Sequence, residues 1–110
     1  MGGLMSLYAV LKYNDVFSKA ACVSPTIGAV RRPLFNTMQK CSPDPDTRIY
    51  LSWGEEENWR NIPCRDNCRA EEILRQKGVS TSLYCQKGGK HCEASWEQQI
   101  PLFMDFLWGA

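Results

Sequence analysis

The sequence predicts an α/β fold: about three parallel strands with helices packed on the sheet. Three observations carry that expectation. Segments of helical and strand character alternate along the chain, the strand-like runs are short and stop at proline or glycine, and 110 residues with 44% hydrophobic content suffice for one modest core.

The first element runs from Gly2 to Tyr13, where Leu4, Leu7, Tyr8 and Leu11 recur at helical spacing among Gly2, Gly3, Ser6 and Ala9. Small residues between the apolar ones predict a helix pressed closely against a neighbour. Val16 to Val23 is a short apolar run halted by Ser24-Pro25, as suits a buried strand. Residues 26 to 46 carry Pro33, Pro43 and Pro45 with the basic pair Arg31-Arg32, and read as a surface excursion or lid holding one short helix from Pro33 to Gln39. A second strand, Arg48 to Trp53, is rich in β-formers and stops at Gly54, after which Glu55-Glu56-Glu57 opens a polar loop. Asp66 to Lys77 is a helix with a modest apolar edge and a glycine stop at Gly78. Val79 to Gln86 reads as the third strand, Gly88-Gly89 as a turn, and Ala94 to Trp108 as one apolar terminal helix.

Composition excludes several classes of function. Thirteen basic and twelve acidic residues leave a formal charge of +1, too weak a field to steer the chain to nucleic acid or anionic lipid. No apolar run reaches the roughly 20 residues that span a bilayer, and the start Met1-Gly2-Gly3-Leu4 is unlike a secretory signal, so a soluble, cytoplasmic chain without a membrane partner is expected. Six cysteines do not follow a disulfide framework: Cys22 and Cys85 sit in apolar strand-like runs as small buried hydrophobes do. Cys64, Cys68 and Cys92, with His91, form a nominal ligand set but lack the second tight pair of a zinc ribbon or finger, so neither a metal nor another cofactor is expected.

In a parallel sheet, functional groups gather at loops leaving the C-terminal ends of strands. Those loops come after Val23, Trp53 and Gln86; the second carries the glutamates and the third His91, the sole histidine. A histidine acting as general base needs an acid to hold its ring and tautomer, and neighbouring strand ends can supply both from distant positions. The third member of such a triad belongs on a Gly-x-Ser-x-Gly turn before a helix. Met1-Gly2-Gly3-Leu4-Met5-Ser6-Leu7-Tyr8-Ala9 looks like the stretch immediately C-terminal to that serine, with Met1 in the variable position, Gly2 as the closing glycine and Gly3 allowing close packing.

With these motifs the chain resembles the esterase family of the α/β-hydrolase superfamily, including its enterochelin-esterase-like and feruloyl-esterase-like members. The matching residues are Met1-Gly2-Gly3-Leu4, then Ile49-Tyr50-Leu51-Ser52-Trp53-Gly54 with Glu57, then Gly88-Gly89-Lys90-His91-Cys92-Glu93-Ala94-Ser95-Trp96. The resemblance implies His91 as general base and Glu57 as its acid, with Glu55 and Glu56 as alternative acids. It also places Met1, Gly2 and Gly3 on the oxyanion side. The chain then corresponds to the C-terminal portion of an α/β-hydrolase domain, 1 to 110, lacking the N-terminal half and the nucleophile strand. A small-molecule ester is the implied substrate of the complete family, and the chain alone is expected to be inactive.

Ser6, Ser24 and Cys92 are weak replacement nucleophiles, because Ser6 lies within a helix and Ser24 closes a strand. Trp53 and Trp59 flank the acidic loop and read as packing residues or pocket walls, while Arg31-Arg32 reads as a solvated charge pair. The alternative to an esterase portion is a non-catalytic α/β binding or assembly protein. Either way, the open sheet edge is expected to favour self-association or a missing N-terminal segment.

Overall fold

The computed structural model describes residues 2–109. Helix α1, Gly2–Lys12, buries Leu4, Leu7, Val10 and Leu11, one stripe of the helical repeat. It lies hard against strand β1, Lys19–Val23: a β-carbon on Gly3 would stand 2.4 Å from the Val23 carbonyl oxygen. β1 begins later than its apolar run suggested. Val16 and Phe17 are exposed, and their amides donate to the Tyr13 carbonyl in a turn that closes α1.

Strand β2, Arg48–Gly54, is central, and β3, Ser80–Gln86, lies on its other side. Both pairings are parallel, from Lys19↔Arg48 to Val23↔Ser52 and from Arg48↔Ser80 to Gly54↔Gln86. All three strands therefore finish at one rim. β2 is buried from Ile49 onward, whereas β3 is a half-exposed edge strand. This difference corrects the expectation for the cysteines: Cys22 is wholly buried, and burial pushes its thiol up, but Cys85 is exposed on β3.

Between β1 and β2, helix α2 spans Arg31–Lys40, longer than the predicted Pro33 to Gln39. The segment is more than a lid, since Ile27, Leu34 and Met38 belong to the main apolar core. Helix α3, Ile62–Gln76, starts four residues before Asp66, with Pro63 in its first turn where a missing amide costs nothing. It ends at Gly78, whose φ of +85° turns the chain into β3. The single terminal helix expected from Ala94 to Trp108 is two: α4, Glu93–Glu97, and α5, Ile100–Trp108. Gln99 occupies the break, fully buried, and Pro101 sits in the first turn of α5.

Side-chain alternation divides the sheet's faces. Ala20, Cys22, Ile49 and Leu51 meet α1, α2 and α3 in a continuous apolar core, where each fully buried aliphatic side chain contributes about 1.5–3 kcal/mol. The opposite face presents Tyr50 to α5, its ring 5.7 Å from that of Phe103. There the Tyr50 hydroxyl donates to Gln99 Oε1 at 2.9 Å, and Gln99 Nε2 donates to Gln86 Oε1 at 2.9 Å. Gln86 in turn donates to the Ser95 carbonyl at 2.9 Å, which fixes α4 above the end of β3. No helix among the described residues is long and apolar enough to cross a membrane.

Candidate functional site

Two glycines set the approach of the acidic loop to the histidine turn. A β-carbon on Gly54 would lie 2.3 Å from the Gly89 carbonyl oxygen, so only glycine lets the end of β2 touch the turn after β3. Backbone bonds fasten the contact: the Glu56 amide donates to the Gly89 carbonyl at 2.9 Å, and the Gly88 amide donates to Glu55 Oε1 at 3.2 Å. Residues 55–57 form one helical turn, which swings the Glu57 carboxylate back so that Oε1 accepts the Gly54 amide at 2.8 Å.

The other carboxylate oxygen meets the histidine. Glu57 Oε2 lies 2.6 Å from His91 Nδ1, with the Glu57 side chain 13% exposed and that of His91 51% exposed. A carboxylate accepting at Nδ1 holds the neutral ring as its Nδ1–H tautomer and leaves Nε2 as the proton acceptor. The Trp96 and His91 rings stand perpendicular to each other, 4.9 Å between centroids at 89°. Glu55 and Glu56 are not brought to His91; Glu55 clasps the Gly88 amide, and Glu56 is exposed.

Beside His91 is a concavity of about 280 Å³ lined by Gly2, Gly3, Ser6, Ser24, His91 and Trp96. The start of α1 and the imidazole therefore share one rim. Met1 lies outside the described residues. Ser6 donates its hydroxyl to the Gly2 carbonyl at 2.9 Å, a bond within its own helix, and Ser24 donates to Glu57 Oε1 at 2.7 Å. Among the described residues no hydroxyl or thiol is hydrogen-bonded to His91. The exposed Cys92 thiol is 3.4 Å from Ser95 Oγ. Hydrogen bonding by Ser95, then by backbone amides, and the charge of Lys90 lower its pKa.

A second cavity, of about 300 Å³, is lined by Glu57 together with Pro25, Ile27, Trp53, Ile62 and Asp66. Trp53 is thus a buried pocket wall, whereas Trp59 is exposed with the Arg60 guanidinium 4.6 Å above its ring. Arg31 is not part of a solvated pair: it makes a two-pronged bond to Asp66 at 2.8 and 3.0 Å, tying α2 to α3. Cys64 and Cys68 bring their sulfurs to 4.0 Å on α3. Among the described residues no group of three or more His, Cys, Asp or Glu is arranged to hold a metal ion.

The roles of Ser24, Trp96 and Gly89 escape a reading of the sequence. Only the Gly-Gly pair before His91 hinted that two backbones meet there, and nothing local marks Ser24 or Trp96 as partners.

A family model described as "Putative esterase" matches residues 1–104. The chain belongs to that esterase family. A parallel sheet flanked by helices on both faces agrees with the C-terminal part of an α/β-hydrolase fold. "Uncharacterized protein YbbA" of Bacillus subtilis (strain 168) is 25% identical over 118 residues, which take in 99% of this chain and 46% of that protein. The chain thus spans about half the length of that relative. No solved structure matches it significantly.

Proposed function

We propose that this chain supplies the acid–base half of a serine carboxylic-ester hydrolase site, with His91 as general base and Glu57 as the acid that orients it. The observation that carries this reading is the 2.6 Å contact of Nδ1 with Glu57 Oε2 beside the concavity shared with Gly2 and Gly3. In a complete site, Nε2 takes the proton from a serine hydroxyl as it attacks the ester carbonyl. It then returns that proton to the leaving alcohol, and activates water against the acyl-enzyme. Glu57, already accepting two further hydrogen bonds, stabilises the imidazolium formed in each step.

In this reading residues 1 to 110 form a single partial hydrolase domain whose nucleophile comes from outside them, and a small-molecule ester is the substrate. Loss of a triad serine costs about a millionfold in turnover in subtilisin, so the histidine and acid alone do not sustain useful hydrolysis. A fluorophosphonate probe, which labels activated serines covalently, is expected to leave the purified chain unlabelled. Labelling of Ser6 or Ser24 that His91→Ala abolishes would refute the proposal.

A second reading, as a binding or assembly module, draws on the outer edge of β1, which no strand among the described residues pairs, and on Ile100, Leu102, Met104 and Trp108, exposed by 45%, 46%, 47% and 59%. It implies pairing with another copy or another half-sheet. Light scattering behind a sizing column should show self-association that weakens in Leu102→Glu; a monomer at all concentrations counts against it.

A further inference from the structure

The proposed acid–base pair is one side of a closed circuit. Ser24 stands at the end of β1, 5% exposed, on a backbone with φ of +49°. That left-handed conformation is one a glycine adopts freely and a serine at a cost, so the side chain must offer something glycine lacks. It offers a hydroxyl in two directions, donating to Glu57 Oε1 at 2.7 Å and accepting from Trp96 Nε1 at 3.1 Å. Trp96 in turn packs its ring perpendicular to that of His91, whose Nδ1 returns to Glu57. The circuit joins the ends of β1 and β2, the turn after β3, and α4.

We infer that Ser24 is the positioning residue of this site, setting the Glu57 carboxylate and, through Trp96, the imidazole plane. The inference rests on the reading of His91 and Glu57 as an acid–base pair. The Gly54 amide alone leaves the carboxylate free to turn about its last bond around a single contact. With Ser24 as second donor on Oε1, Oε2 is aimed at Nδ1. Ser24 is no substitute nucleophile in this arrangement, because its proton is committed to a carboxylate and its oxygen to an indole.

The experiment reads the tautomer of His91, which is the sole histidine and so the only imidazole signal. Long-range ¹H–¹⁵N spectra of the full chain, recorded at alkaline pH, distinguish Nδ1–H from Nε2–H. Wild type is expected to be chiefly Nδ1–H, and Glu57→Ala chiefly Nε2–H. Ser24→Gly suits the left-handed backbone, so the variant should fold while losing the hydroxyl. It should shift the tautomer ratio toward Nε2–H about fivefold, the worth of one net hydrogen bond. Trp96→Phe, which keeps an aromatic ring but no donor, should shift it the same way by less. A folded Ser24→Gly with the wild-type ratio, while Glu57→Ala collapses it, overturns the role of Ser24 and leaves the pair intact. Identical spectra for wild type and Glu57→Ala overturn the pair itself, and the positioning role with it.

Discussion

The two faces of the sheet are held by different chemistry. On one, Ile49, Leu51, Ala20 and Cys22 disappear beneath three helices, and cohesion comes from apolar area removed from water. On the other, α5 reaches the sheet through the Tyr50–Gln99–Gln86 chain and buried Leu107, while much of its apolar surface faces outward. Apolar packing tolerates rearrangement within a given volume; a buried amide chain is specific in direction and fails when one member is removed. The first face thus sets how firmly the chain folds. The second sets where α4, with Trp96 and Ser95, sits over the rim.

The sharpest way to break this contrast is to open a hole in the apolar face. Leu51→Ala should destabilise the chain by about 2–5 kcal/mol in urea unfolding, since Leu51 is fully buried and surrounded. Gln99→Leu should cost less, about 1–3 kcal/mol, by stranding the Tyr50 hydroxyl and Gln86. It should also disturb the Trp96 environment, visible as a change in near-ultraviolet circular dichroism that Leu51→Ala does not share at equal fraction folded. If both variants lose the same stability and the same signal, the two faces are not distinct.

The smallest expected effect is a pH dependence. Burial first of all, with a smaller contribution from the neighbouring Tyr84, raises the Tyr50 hydroxyl from 10.0 to about 12. A raised value means that the folded state keeps a proton the unfolded chain releases. The stabilisation is therefore complete below pH 10.0 and is lost as pH climbs toward about 12. The loss should reach about 1 kcal/mol midway through that range, and be absent in Tyr50→Phe, when unfolding is followed against pH. An unchanged slope in Tyr50→Phe would place the titrating group elsewhere.

The sequence was most readable where one principle acted alone. β2 and β3 fall within a residue or so of their predicted ends because β-branched and aromatic runs are bounded by glycine and by a polar turn. Reading failed where burial and apolarity parted. Val16 and Phe17 look like strand core yet lie exposed in a turn, and Cys85 is uncovered because β3 is an edge. The break at Gln99 was obscured by the apolar run around it, although Pro101 carried the signal of a helix start. Arg31 found Asp66 thirty-five residues away, a partner that no local pattern reveals. For the site, His91 and a glutamate at adjacent strand ends were visible from the alternation of elements. The choice of Glu57 over its neighbours in contacting His91 depends on one helical turn, and the place of Ser24 on a contact among four separate segments.

The touching backbones of Gly54 and Gly89 carry one more consequence. Because the two loops lock against each other as the chain folds, the imidazole and carboxylate are already in register before anything enters the concavity. No arriving molecule has to organise them. Any side chain placed at either glycine would act as a wedge, prising the rim apart while leaving the sheet beneath it whole.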